Sequence, residues 1–102
     1  MKKLTLAAAQ ITCQDGNVQE NLVRATQMAE QAQTQGAQLV LFPEFMSQGY
    51  LLTSALWDSA EPFDGPTTRW LSETSRQLGI YLGTSFLEVR NGHFLNTFAL
   101  AD

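Results

Sequence analysis

The stretch Ala37-Gln38-Leu39-Val40-Leu41-Phe42-Pro43-Glu44 decides how this chain of 102 residues is read. Leu39 to Phe42 is a short apolar run of the right length for a buried strand. Pro43 has no backbone N–H to give to a sheet and holds the residue before it extended, so the strand should end at Phe42. Glu44 then stands just past the strand's carboxyl end, where open parallel sheets usually place their ligands and chemistry. The competing reading is a solvated loop acid behind a core strand, the commoner fate of such carboxylates.

Upstream, Gly36 occupies the place of a helix-ending glycine. From Val18 to Gln35 there is no Gly or Pro, and Leu22, Ala25, Ala29 and Ala32 recur at helical spacing. Their small side chains predict a helix that packs close to a sheet. Asn17 is its expected N-cap, with Glu20 three residues on to complete a capping box. Glu20 and Arg24 form an i, i+4 pair of the favourable orientation, worth about 0.2–0.5 kcal/mol. Before the turn signal Asp15-Gly16-Asn17, Leu4 to Gln10 reads as a strand. Leu4, Leu6 and Ala8 share one face, and Thr5, Ala7 and Ala9 the other. Both faces are apolar or small, which suits a central strand covered on both sides. The first 44 residues are thus strand, helix, strand, and so long a crossover makes the two strands parallel and the connection right-handed.

Downstream, Phe45 to Gly65 is a long connection carrying Phe45, Tyr50, Trp57 and Phe63, with a turn or two of helix expected within Leu51 to Trp57. A connection of this length in a compact domain is either functional or the sign of a misassigned element. Its aromatics must line a pocket, pack on the core or meet another chain. Gly65-Pro66-Thr67 opens a second helix, proline being suited to the first turn. Trp70, Leu71, Thr74 and Leu78 form its buried stripe, and Gly79 ends it. Ile80 to Leu87 is a third strand. Asn91-Gly92 predicts a two-residue hairpin, which makes His93 to Leu100 a fourth strand antiparallel to the third. The expectation is one α/β domain over residues 1–102: a βαβ unit, then a helix and a β-hairpin.

Composition narrows the partners. The chain is 44% hydrophobic and 16% charged, with a net charge of −4 from ten acidic and six basic residues. Only Lys2 and Lys3 are adjacent, so the basic stripe of a nucleic-acid binder is missing. One cysteine, Cys13, and one histidine, His93, give no intrachain disulfide and no Cys/His metal cluster. The amino-terminal apolar run is too short for a signal-peptide core, and nothing approaches the ~20 apolar residues of a membrane span. A cytoplasmic location is the expectation.

Among residues that could carry chemistry, Cys13 lies a few residues before the first helix with no His, Lys or Arg near it in sequence, so a buried or loop thiol is the expected role. His93 should be an exposed residue at the start of a strand. Glu61, Asp64 and Glu88 lie near predicted loops and should be solvated, Glu61 alone being placed to return toward Glu44. Glu44 is the best candidate. A general base, however, needs a nucleophile to deprotonate and a neighbour that tunes it. The only lysines, Lys2 and Lys3, open the first strand, which parallel pairing puts at the other end of the sheet. There is also no phosphate-binding glycine loop.

Taken together, the strand ending in Gln10, Asn21-Leu22, Gly36-Ala37, Leu39 to Glu44, Gly49-Tyr50, Glu61-Pro62, Gly65-Pro66-Thr67 and Asn96-Thr97 resemble the amino-terminal part of the nitrilase, or carbon–nitrogen hydrolase, family. The resemblance covers essentially the whole chain, while members of that family are considerably longer. It implies part of an α-β-β-α sandwich that cleaves non-peptide C–N bonds of small amides or nitriles, with no metal or organic cofactor. It further implies a Glu-Lys-Cys triad in which the glutamate is the base, the lysine stabilises negative charge and the cysteine attacks carbon. Only the glutamate carries over, onto Glu44; Cys13 does not occupy the family's cysteine position. Two expectations follow. The chain is a fragment or truncated form of such a hydrolase, inactive alone, or a non-catalytic α/β module used for self-assembly or partner binding. In both, a sheet face left uncovered predicts a homo-oligomer. A flavodoxin-like small-molecule binder is the third reading, weakened by the absence of an anion-binding loop.

Overall fold

The computed structural model describes residues 3–49 and 54–102. In chain order the elements are β1 (Leu6–Ala8), α1 (Val18–Thr34), β2 (Leu39–Leu41), α2 (Ala55–Asp58), α3 (Pro66–Leu78), β3 (Tyr81–Arg90) and β4 (His93–Ala101). The strands form one sheet in the order β1-β2-β3-β4. β1 runs parallel to β2 and β2 to β3, while β3 and β4 are antiparallel. This is the predicted βαβ unit followed by a helix and a hairpin. The expected helical stretch beginning at Leu51 is seen as α2; Tyr50 and residues 51–53 lie outside the described residues.

Local chemistry accounts for the boundaries. Asn17 caps α1 by accepting the Glu20 N–H at 3.2 Å. The Asn17 N–H itself bonds to the Gln14 carbonyl at 3.2 Å, so the capping box operates through its Asn half. Arg24 and Glu20 approach to 3.8 Å at the surface. Pro66 opens α3 and Gly79 ends it in the left-handed region at φ 68°. The Asn91-Gly92 turn has φ 52° and 77°, the positive pair that a tight hairpin matching strand twist requires.

The register divides the sheet into two unlike faces, because alternate residues point to opposite sides. Val40 and Leu82 are fully buried on one face, in a core with Leu22, Ala25 and Ala29 of α1 and Leu71 of α3. Phe42 and Trp70 meet edge-to-face with centroids 5.5 Å apart. On the other face Leu6, Leu41, Tyr81, Phe98 and Leu100 are each 38–59% exposed. β1 is therefore an edge strand covered on one side only, not the central strand its two apolar faces suggest. Gly83 lies beneath this open layer; a Cβ there would stand 2.8 Å from Phe98 Cζ and 3.0 Å from Leu41 Cδ2.

Candidate active site

Glu44 follows the end of β2, as the proline predicts, and its segment is stitched residue by residue along β3. The Phe42 N–H bonds to the Gly83 carbonyl at 2.9 Å and the Phe45 N–H to the Ser85 carbonyl at 3.0 Å. Between them the Thr84 hydroxyl donates to the Pro43 carbonyl at 3.0 Å. Phe45 takes φ 55°, a left-handed conformation uncommon for a large side chain and held only where the surroundings over-determine it. Gly49 closes the turn, its N–H on the Phe45 carbonyl at 2.7 Å. A Cβ at Gly49 would lie 2.8 Å from the Asp15 Cα, so the tight approach needs glycine there.

Past this turn, side chains replace the missing ladder. Gln48 is fully buried; its Oε1 accepts the Leu87 N–H at 2.8 Å, and its Nε2 donates to the carbonyls of Ser59 at 2.6 Å and Leu87 at 3.2 Å. Glu61 continues the edge through its backbone, with N–H to Leu87 O and carbonyl to Val89 N, both 2.9 Å. The frame beneath Glu44 is thus β3 plus amide groups from the long connection. The Glu44 side chain is exposed and reaches across to β4, where Asn96 Nδ2 donates to its Oε1.

Two of the acids expected to be solvated are instead buried. Glu61 is 5% exposed; its carboxylate accepts the Thr67 N–H and the Thr67 hydroxyl, each at 2.8 Å. Burial pushes its carboxyl above the usual carboxylate range, and the two Thr67 bonds partly offset this. Thr67 also meets the Ser47 hydroxyl at 2.5 Å, and the Ser47 carbonyl takes Asn21 Nδ2 at 2.9 Å. Glu61 therefore belongs to a network joining the starts of α1 and α3 to the turn after Glu44. Glu88 is fully buried and receives Arg90 Nε at 2.8 Å and Thr97 Oγ1 at 2.7 Å. The Arg90 bonds, followed by that from Thr97, hold its carboxyl below the usual range. The reason for the correction is that β3 runs to Arg90, so Glu88 is a strand residue on the helix side. Asp64 is exposed.

Cys13 is half-buried, and desolvation, with Asp15 next, raises its thiol above the ordinary value, the opposite of an activated nucleophile. His93 is exposed at the start of β4. Lys3 precedes β1, at the far end of the sheet from Glu44 by the parallel register; Lys2 lies outside the described residues. Among the described residues, no group of three His, Cys, Asp or Glu could hold a metal ion, and no helix is long and apolar enough to cross a membrane. A groove of about 400 Å³ between α1 and α3, lined by Leu22, Val23, Thr26 and Trp70, belongs to the helix layer and not to the Glu44 side.

The contact from Asn96 was not anticipated from the sequence. Its signal was present: Asn96 is a polar residue interrupting the alternation Phe94, Phe98, Leu100 on one face of β4.

The structure thus presents a strand-end acid braced along β3 of an α/β sheet with one open apolar face. The chain matches the carbon–nitrogen hydrolase family over residues 5–102 and belongs to that family. It is 37% identical over 98 residues to the omega-amidase of Danio rerio, covering 95% of this chain and 35% of that one. A carbon–nitrogen hydrolase superfamily protein of Xanthomonas campestris superposes with a TM-score of 0.87 at 23% identity, over 99% of this chain and 37% of that chain. An amidase from Nesterenkonia sp. AN1, bearing acrylamide at its active-site cysteine, gives 0.79 at 25% identity over 98% and 40%. The chain spans about a third of the length of the relatives it matches.

Proposed function

We propose that these residues supply the base-bearing layer of a cysteine hydrolase that cleaves the C–N bond of small amides or nitriles, with Glu44 as general base. The observation that carries this reading is the placement of Glu44 past β2, stitched to Gly83 and Ser85 of β3 through its neighbours and exposed on the uncovered side of the sheet. A base must reach a proton on a nucleophile, and an exposed, braced carboxylate meets that geometric demand. The family resemblance provides the partners: a cysteine that attacks carbon and a lysine that stabilises the developing negative charge, both from segments outside residues 1–102. Cys13 does not serve, since it lies before α1 and burial raises its thiol above the ordinary value. The 102-residue chain is catalytically incomplete by itself. It uses no metal or organic cofactor, binds neither nucleic acid nor membrane, and works in the cytoplasm.

The test is Glu44→Gln in the full-length protein, assayed against a panel of small amides. Turnover should be lost with little change in melting temperature, because Glu44 is exposed. Substantial residual turnover would overturn the role of Glu44.

A second reading is favoured by the open face itself. Leu6, Leu41, Tyr81, Phe98 and Leu100 are contiguous across four strands and exposed, a surface that favours self-association of the chain. In that reading the chain is a non-catalytic homo-oligomeric module.

A further inference from the structure

We infer that Asn96 is a positioning residue for Glu44, resting on the proposal that Glu44 is the base. Glu44 is on a turn, and a turn alone orients a carboxylate poorly. Its backbone is fixed by β3 through Phe42, Pro43 and Phe45. The side chain is oriented from a different strand: Asn96 of β4 donates its Nδ2–H to Glu44 Oε1. The sheet register places Asn96 for this. It pairs with Leu87 within the nine-residue β3–β4 register, and Leu87 is clamped on its other side by Gln48 at 2.8 Å.

The residue type fits the task. An amide donates without carrying charge, so it fixes one carboxylate oxygen without placing a cation beside it. A Lys or Arg in the same place would hold the carboxylate in an ion pair and weaken it as a base. The surroundings agree, for Phe94 and Phe98 flank Asn96 on the same face of β4, and Phe94 packs on Trp57 with centroids 4.7 Å apart. In this apolar row the Asn96 amide meets the Glu44 carboxylate.

Two measurements test the inference. In the 102-residue chain, Glu44→Gln should move the side-chain amide resonances of Asn96 while leaving those of Asn91, in the hairpin turn, in place. Unmoved Asn96 resonances would overturn the contact. In the full-length protein, Asn96→Ala should lower kcat about 10- to 100-fold, as a misplaced catalytic group does, with KM and melting temperature retained. Asn96→Gln, which keeps an amide donor, should recover part of the loss. Wild-type kcat in Asn96→Ala, beside a Glu44→Gln that has lost turnover, overturns the role of Asn96 and leaves the base in place. Turnover retained in Glu44→Gln overturns the base itself. A kcat loss that comes with a lowered melting temperature and is not recovered in Asn96→Gln reduces Asn96 to a structural residue and also overturns the inference.

Discussion

The two faces of the sheet treat their acids in opposite ways. On the helix-covered face Glu61 and Glu88 are buried, and each has two or more donor bonds: Thr67 twice for one, Arg90 and Thr97 for the other. On the open side Glu44 is exposed, and Asn96 of β4, on the far side of β3, donates to its Oε1. Buried carboxylates saturated by their own neighbours hold elements together. An exposed one on a braced turn is in a position to meet something that arrives. The difference teaches that burial, more than acid content, separates the framework of this fold from its candidate chemistry.

The sharpest way to break the comparison is to truncate one ring on each face. Phe86 is fully buried and Phe98 is 59% exposed. Phe86→Ala should cost about 3–5 kcal/mol of stability through lost burial and a cavity, and Phe98→Ala less than about 1 kcal/mol, both read from denaturant midpoints. Equal losses would mean that the open face is covered in solution. Covering by a second copy is then the next question, read by size-exclusion chromatography. Replacing Phe98 and Leu100 together by lysine should convert an oligomer into a monomer, whereas a wild-type chain that elutes as a monomer at high concentration removes the self-assembly reading.

The smallest expected effect sharpens the contrast within the covered face. Glu88 has its carboxyl lowered by Arg90 and Thr97, so its contribution is complete above the unfolded value of about 4.3 and is lost as pH falls through the folded value. Glu61 has its carboxyl raised by burial, so its contribution is complete below that value and is lost as pH rises through the folded one. The stability difference between wild type and Glu88→Gln should therefore grow with pH below about 4.3, and that between wild type and Glu61→Gln should shrink with pH above it. Slopes of the same sign would show that one of the two carboxylates is not held as described.

Much of this was legible in the sequence where a residue acts through its own backbone. Pro43 stopped a strand, Asn17 capped a helix, Gly79 ended one, and Asn91-Gly92 dictated a turn; all four are local, and all four appear as expected. The placement of Glu44 followed from the same logic. What could not be read depended on distant partners. Glu61 looks solvated until Thr67, at the start of α3, folds back onto it. Glu88 looks like a loop acid until β3 is seen to run on to Arg90. β1 has two apolar faces, yet lies at the edge of the sheet because β3 pairs with β2 and β4 and leaves β1 a single neighbour. Asn96 and Glu44 are 52 residues apart, and only the β3–β4 register brings them together.

That register gives the hairpin turn a significance out of proportion to its two residues. Side chains alternate along β4, so a slip of one position would turn Asn96 toward the helices and bring Thr97 to the open side, taking the Asn96 donor from Glu44 and the Thr97 donor from Glu88 in a single step. The length of the Asn91-Gly92 turn is in effect a reading frame: insertions at this exposed tip, ordinarily the most tolerant kind of site, would scramble both faces of the sheet at once.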